Sequence, residues 1–338
     1  MMTLTHHTVA IQQVHSILMG ARHRGIDPAR VLARAGIAAS LLESPLARIS
    51  QRQYALLIRA LRRELRDEIW GLLSEPLPPG SFGQCMRQLV RCATLGEALR
   101  DGFAAYHLLL NDFVPRLTVQ GGSARVQFVL RRDADARMDY AVKAFMLFAF
   151  NASSWLVARR IPLLEVDYTA EQTNTETSRV YQVPIRYGQA HVGMSFEARW
   201  LDLPVVQSPQ SLREFLAGSP ANLIVKYRDT SSLTERIRRL LRKGLGSELP
   251  SLEEVGDALA VTPQTLRRRL RDEGRGFQQI KDELRRDAAI EYLLHTPLPL
   301  LDIANRVGFS EASTFHRAFK QWTGVAPGEY RLTHAPER

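Results

Sequence analysis

Cysteine is scarce: Cys85 and Cys92 are the only two in 338 residues. Two thiols cannot form the disulfide framework of a small secreted domain. Seven positions apart on one predicted helix, they would share a face at about 10 Å, given ~1.5 Å of rise per residue. That is too far for an unstrained bridge, so both are expected as packed thiols. Long apolar runs are missing too, and nothing approaches the length of a membrane span. Met1 to Arg24 lacks the apolar core of a secretory leader, because His6, His7 and Arg22 interrupt it. A reducing, cytoplasmic setting is therefore expected, with no membrane partner. There is no nucleophile elbow and no phosphate loop. His6, His7, His107, His191, His295 and His316 show no metal-ligand spacing. An enzyme is not expected, and neither is a cofactor or a metal.

What is present is a chain long enough for two domains. Its hydrophobic content is 45% and its charged content 24%, ordinary for a globular protein able to bury a core without staples. The net charge is +10, carried mostly by Arg, which suits a polyanionic partner. The charge is not concentrated at the C-terminal end. After Ser231 there are 18 Lys and Arg against 15 Asp and Glu, a net of +3. The local run Arg267-Arg268-Arg269 with Arg271 matters more than the total.

The first quarter reads as helical. Val14, Ile17, Leu18 and Ala21 keep helical spacing. Asp27-Pro28 supplies an N-cap and a first-turn Pro, and Gly36 ends that short helix. Ser50 with Gln53, and Thr94 with Glu97, form capping boxes. Pro76, Pro78, Pro79 and Gly80 mark a loop. Phe113–Gln120 and Ala124–Arg132 then alternate around Gly121-Gly122-Ser123, the signature of a β-hairpin. Met138–Arg160 reads as a long apolar helix and Leu163–Thr169 as a strand. A helix is expected at Thr173–Gln182, with short strands at Ile185–Tyr187 and His191–Phe196. The segment from Pro204 to Ser232 is transitional, with a helical piece at Leu212–Leu216 and another to Tyr227. Everything after Leu233 is helical. The expected division is an α+β regulatory domain over 1–204, a linker over 205–232, and an all-α domain over 233–338. The latter carries two helix-turn-helix units joined by a long helix.

Those units are the most informative part of the sequence. In the first, Ser251 and Glu254 make a capping box, and Leu252, Val255 and Leu259 form the core face. Ala260-Val261-Thr262 is the turn, with Thr262 as N-cap and Pro263 opening the second helix. Leu266 and Leu270 face inward, leaving Gln264, Arg267, Arg268 and Arg271 outward. In the second, Leu300, Ile303 and Val307 face the core. Gly308-Phe309-Ser310 turns the chain, with Ser310 expected as N-cap. Phe315 and Phe319 face inward, with Phe309 and Trp322 also assigned to the core. Ala312, Ser313, His316, Arg317 and Lys320 are left outward. The joining helix, from about Phe277 to Leu294, spans roughly 27 Å. That spacing suits two helices entering successive major grooves about 34 Å apart. Arg can pair bidentately with guanine and Gln with adenine. Ser313 and His316 can meet bases or phosphates, whereas Arg271 and Lys320, a turn further on, are expected at phosphates. Glu311, at a helix N-terminus, complements the helix dipole.

The run from Ile303 through Gly308-Phe309-Ser310, Phe315 to Lys320, Trp322-Thr323-Gly324 and Pro327 to Arg331 resembles the AraC/XylS family of transcriptional regulators. The resemblance covers about Leu233 to Leu332. It implies a seven-helix module with recognition helices at Pro263–Arg271 and Glu311–Trp322. It also implies base contacts from Gln264, Arg267, Arg268, Ala312, Ser313, His316 and Arg317. Two positions depart from the family pattern: Ala260 stands where Gly is common, and Gly256 where Ala is common. A softer resemblance to the "arabinose-binding" type of regulatory domain rests on Gly25-Ile26-Asp27-Pro28, Ile49-Ser50, Thr94 to Leu99 and Val183 to Gly188. It implies effector sensing and dimerisation, without establishing a sugar ligand.

The expected function is a sequence-specific, dimeric transcriptional regulator, an activator, controlled by a small-molecule effector. Its expected partners are double-stranded promoter DNA, a second copy of the chain, the effector and RNA polymerase. The alternative is a regulator whose N-terminal domain only dimerises or binds a protein. Phe103, Tyr106, His107, Phe145 and Phe148 are aromatic at helical spacing. Such sets are more often plain core, so no pocket is assigned.

Overall fold

The computed structural model describes residues 8–133, 135–169, 181–218, 233–246, 249–272 and 276–334. The N-terminal elements are β1 (Thr8–Ala10), α1 (Ile11–His23), α2 (Pro28–Arg34), β2 (Arg48–Ser50), α3 (Gln51–Leu65), α4 (Ser81–Leu89) and α5 (Leu95–Leu109). The middle of the chain forms β3 (Phe113–Gln120), β4 (Ser123–Leu130), α6 (Ala136–Leu156), β5 (Leu163–Asp167), β6 (Ile185–Arg186), β7 (Val192–Glu197) and α7 (Pro209–Gly218). The C-terminal helices are α8 (Leu233–Lys243), α9 (Leu252–Leu259), α10 (Pro263–Asp272), α11 (Phe277–His295), α12 (Leu300–Arg306), α13 (Ala312–Thr323) and α14 (Pro327–His334). The expected helix to Tyr227, and nearly all of the one at Thr173–Gln182, lie outside the described residues.

Contacts group the chain into two compact units. One comprises Ser16–Asp27 and Ile58–Tyr227, the other Met1–His15, Pro28–Leu57 and Arg228–Arg338. This differs from the expected division at 204. Residues 8–15 and 28–57 group with the C-terminal helices, where Thr8 and Arg48 join a buried cluster described below.

The first unit is the α+β layer. Its sheet runs β3-β4-β7-β5-β6, antiparallel except for the β5–β6 pair. The hairpin β3–β4 pairs Phe113 with Leu130 and Gln120 with Ser123, and Gly121 and Gly122 turn it at φ 58° and 78°. Two adjacent left-handed residues are what a tight hairpin turn requires, and glycine adopts them at no steric cost. Along β4, Ala124, Val126 and Phe128 alternate into the core. There α6 lays Phe145 edge-on against Phe113, Phe128 and Tyr106, at centroid distances of 5.4, 5.9 and 4.8 Å. Thr94 caps α5 by accepting from the Glu97 amide at 3.3 Å. The reciprocal half of the expected box is displaced by one residue, since Glu97 accepts from the Ala93 amide at 2.7 Å.

The second unit is mostly helical, with the short β1–β2 pair at its edge (Thr8 opposite Ser50, Ala10 opposite Arg48). The capping box at Ser50 and Gln53 closes both ways, at 3.0 and 3.1 Å. One hydrophobic cluster joins Leu233, Ile237 and Leu241 of α8 to Leu252, Val255, Leu266, Leu270, Ile280 and Leu284. Burying each such side chain contributes ~1.5–3 kcal/mol, which fixes α9 and α10 on α11. A second cluster seats α12 and α13: Ile303, Val307, Phe315, Phe319 and Tyr330 are each at most 1% exposed.

Candidate nucleic-acid interface

Each outward face exists because a buried face holds its helix down. On α10, Leu266 and Leu270 are buried, so Gln264, Arg267, Arg268 and Arg271 stand exposed. On α13, Phe315 and Phe319 are buried, with ring centroids 5.7 Å apart, and Ala312, Ser313, His316, Arg317 and Lys320 are exposed. Among these polar side chains two have partners among the described residues. Arg267 approaches Glu253 of α9 at 3.7 Å, both side chains 62% exposed, which is a weak surface pair. Ser313 donates to Glu311 at 3.2 Å. Arg268, Arg271, Arg317 and Lys320 have no carboxylate partner among the described residues.

The two turns are built differently. Thr262 caps α10 by accepting from the Thr265 amide at 3.3 Å, and Ser251 with Glu254 completes a full capping box on α9. The backbone acceptance and hydrogen bond from Ser251 hold the Glu254 carboxyl below its ordinary value. Ala260 sits in the left-handed region at φ 53°. In the second unit Gly308 takes φ 81° and the Phe309 amide donates to Ala304 at 2.9 Å. The expected N-cap Ser310 is corrected here: Glu311 occupies the cap position, with no side-chain hydrogen bond, and α13 runs Ala312–Thr323. Glu311 bonds the Ser313 hydroxyl instead of a helix amide. Phe309 and Trp322 are half-buried and lie 6.0 Å apart, flanking that turn.

Sequence reasoning missed the role of α11, which it read only as a connector. Lys281 donates to the carbonyls of Leu249 and Pro250, at 3.2 and 3.3 Å, where the chain enters α9. One turn on, Arg285 donates to the Gly308 carbonyl at 3.2 Å and covers the Phe309 ring at 4.9 Å. One helix therefore clamps both helix-turn-helix units. The same helix buries Glu283, Asp287 and Glu291. Arg238 spans Glu283 and Asp287 at 3.6 and 3.4 Å. Thr8 donates to Asp287 at 2.6 Å, and Arg48 donates to the Thr8 hydroxyl at 2.7 Å. The Tyr330 hydroxyl donates to the Arg48 carbonyl. Burial alone would raise the Asp287 carboxyl, but Arg286, Arg238 and Arg48 hold it below its usual value. Burial and Asp287 push Glu291 up to about 7, with Arg52 opposing. No local signal joins Thr8 and Arg48 to a helix so far along the chain.

The α+β unit holds a cavity of about 270 Å³ between α4, α5, α6 and the end of α7. Phe103, Tyr106, Phe145 and Phe148 line it. His107 does not; its Nε2 lies 2.9 Å from the Pro115 carbonyl. Cys85 joins the wall as a free thiol, held protonated by burial and by the charges of Cys92 and Asp101, which raise it to about 11. Among the described residues no group of three His, Cys, Asp or Glu could hold a metal ion, and no helix is long and apolar enough to cross a membrane.

Residues 25–205 match the profile of the arabinose-binding N-terminal domain of AraC transcription regulators, and 255–333 match that of a helix-turn-helix domain. The ornithine utilization regulator of Pseudomonas aeruginosa is 25% identical over 333 residues, 98% of each chain. The Escherichia coli transcriptional activator CfaD is 33% identical over 100 residues, 30% of this chain and 37% of CfaD. Among solved structures, the C-terminal domain of AraT, a response regulator from Geobacillus stearothermophilus, is 33% identical. That match covers 33% of this chain and 93% of the other, at a TM-score of 0.31. The matching proteins and domains are transcription regulators, not enzymes.

Proposed function

Because the chain belongs to the AraC family of DNA-binding transcription regulators, we propose that it is a dimeric activator that reads promoter DNA through α10 and α13 under the control of a small-molecule effector. One observation carries this reading: each second helix presents an Arg without an acidic partner among the described residues, Arg268 and Arg317, outward from a fully buried apolar seat. A solvated cation held on a rigid helix is what major-groove guanine recognition needs. Gln264, Arg267 and Arg268 on α10, and Ala312, Ser313, His316 and Arg317 on α13, face the bases in this reading. Ala312 offers only a methyl, suited to a thymine methyl. Arg271 and Lys320 take phosphates and set register. The cavity in the α+β unit supports effector control, because a ligand that fits one state better than another shifts the balance between them. A second copy of the chain doubles the footprint and raises effective concentration at the site. RNA polymerase is the partner that activation requires.

Selection of bound duplexes from a random library, using the full-length protein, tests the reading. Two motifs with centres about 10–10.5 bp apart per subunit are expected. A single short motif, or none, overturns it.

A further inference from the structure

We propose that the cavity of the α+β unit takes a medium-chain carboxylate, its tail inside and its acidic head at Arg87, and not a sugar or an amino acid. The inference rests on the effector reading above and names the ligand class.

The walls decide the tail. Met86, Leu89, Leu99, Phe103, Phe145 and Phe148 line the cavity. The interior polar groups are few. The Ser153 hydroxyl donates to the Ala149 carbonyl at 2.6 Å. The Tyr106 hydroxyl has no hydrogen-bond partner among the described residues, and the Cys85 thiol stays protonated. A pyranose buries several hydroxyls, each needing a partner, and the described lining offers too few. An amino acid needs a free carboxylate for its ammonium. Among the described lining residues the only acid is Glu68, and both its oxygens are engaged. Its two oxygens accept from the Gly80 and Phe82 amides, both at 2.7 Å, and it pairs with Arg62 at 3.3 Å.

The rim decides the head. Phe103, Tyr106 and Phe145 are buried, whereas Arg87 is exposed and the Arg62 side chain is 39% exposed, so these two mark the solvent side. Arg62 is held by Glu68. Among the described residues Arg87 donates to the neutral Gln84 at 3.3 Å and pairs with no acid. Its guanidinium lies 3.8 Å from where a Cβ on the lining residue Gly83 would stand, so it borders the open space directly. A guanidinium beside an apolar slot is complementary to a carboxylate on a hydrocarbon tail. At the ~30 Å³ that a water occupies in the liquid, the cavity holds roughly nine non-hydrogen atoms. That matches the tail of decanoate.

Isothermal titration of the full-length protein with decanoate, decanol, L-arabinose and L-ornithine tests the class. Decanoate should bind, decanol more weakly, and the other two not at all. Ala149→Phe, which fills the cavity from α6, should abolish decanoate binding. Arg87→Gln should weaken decanoate about five- to tenfold and leave decanol unchanged, a split that general unfolding cannot produce. Arabinose or ornithine binding in place of decanoate, or equal loss of decanoate and decanol in Arg87→Gln, overturns the proposal. A footprint on promoter DNA read with and without decanoate separates the two layers. Binding that leaves the footprint unchanged supports the ligand class and refutes effector control by it. A footprint that moves supports both.

Discussion

The turn between α9 and α10 is where the DNA interface is most open to attack by a single methyl group. The turn closes through the Val261 amide donating to Gly256 at 2.9 Å and the Ala260 amide donating to Asp257 at 3.1 Å. This winding presses the Val261 carbonyl onto Gly256, and a Cβ there would sit 2.7 Å from that oxygen. Gly256→Ala adds ~1 kcal/mol of helix propensity. Against that, the carbonyl is backbone and cannot rotate away without surrendering its own turn. Overpacking of this kind costs ~1–3 kcal/mol, and the lost turn hydrogen bond adds ~1 kcal/mol. The net expectation is ~1–3 kcal/mol of local destabilisation. Ala260 presents the opposite case. It holds φ 53° and ψ 45°, a conformation that costs an L-residue ~1–2 kcal/mol. Ala260→Gly removes that strain at a cost of ~0.4–1 kcal/mol in unfolded-state entropy, for a net gain of ~0.5–1 kcal/mol. Native-state hydrogen exchange over α9 and α10 measures both locally. Protection should fall in Gly256→Ala and rise in Ala260→Gly. Unchanged or greater protection in Gly256→Ala would refute the steric reasoning.

Three further outcomes are expected. Arg317→Ala should weaken specific DNA binding by ~1–3 kcal/mol and relax preference at one base pair, read by competition against single-base variants of the site; a uniform loss over all sequences would make Arg317 a phosphate anchor instead. Glu291 holds a proton in the folded state up to about pH 7 while its ordinary value is 4.5, so stability should fall as pH rises through that window; Glu291→Gln should flatten the profile of unfolding midpoint against pH, and an unaltered slope would show that Glu291 does not titrate there. Thr8→Val deletes a 2.6 Å hydrogen bond to the buried Asp287, at ~1.5–3 kcal/mol for a charged acceptor, and urea denaturation should register a lower midpoint; an unchanged midpoint would mean that Arg238 and Arg286 already satisfy the carboxylate.

Legibility in the sequence followed the range of each interaction. Ser251 with Glu254, Thr262 with Pro263, and Gly121-Gly122 act within four positions, and the structure forms them where the spacing says. The inward and outward faces of α10 and α13 were legible for the same reason, because Leu266, Leu270, Phe315 and Phe319 keep helical period. Ser310 misled because a hydroxyl before a helix is a good cap only if the chain enters at the right angle, and here the chain runs on to Glu311. The cavity was half legible. Phe103, Tyr106, Phe145 and Phe148 stand out in the sequence as a set, but periodicity cannot tell a filled core from one that leaves space. Whether 270 Å³ stays open depends on Gly83, Gly102 and Ala149 arriving from three helices. The company kept by residues 8–15 and 28–57 was not legible at all, since Thr8 and Asp287 stand 279 positions apart.

What a sequence reading treats as a spacer is, in physical terms, the element on which the interface depends. Glu283, Asp287 and Glu291 recur every fourth residue along α11, and acids at that spacing destabilise a helix when ionised. All three are also buried, so ionisation carries a desolvation cost as well, and burial with the neighbouring Asp287 keeps Glu291 protonated up to about pH 7. A helix meant only to separate two DNA readers has no use for such a stripe. The stripe makes sense as a socket: Arg238 enters it from α8, Thr8 from β1, and Arg48 reaches it through the Thr8 hydroxyl. Removing one partner of a buried charge costs more than the contact itself contributed, because the other is left unpaired. The N-terminal strand pair is therefore coupled energetically to the helix whose Lys281 and Arg285 hold the entry to α9 and the turn before α13. The separation of α10 and α13 is set by α11, and the integrity of α11 is set in part by residues that arrive from the far end of the chain.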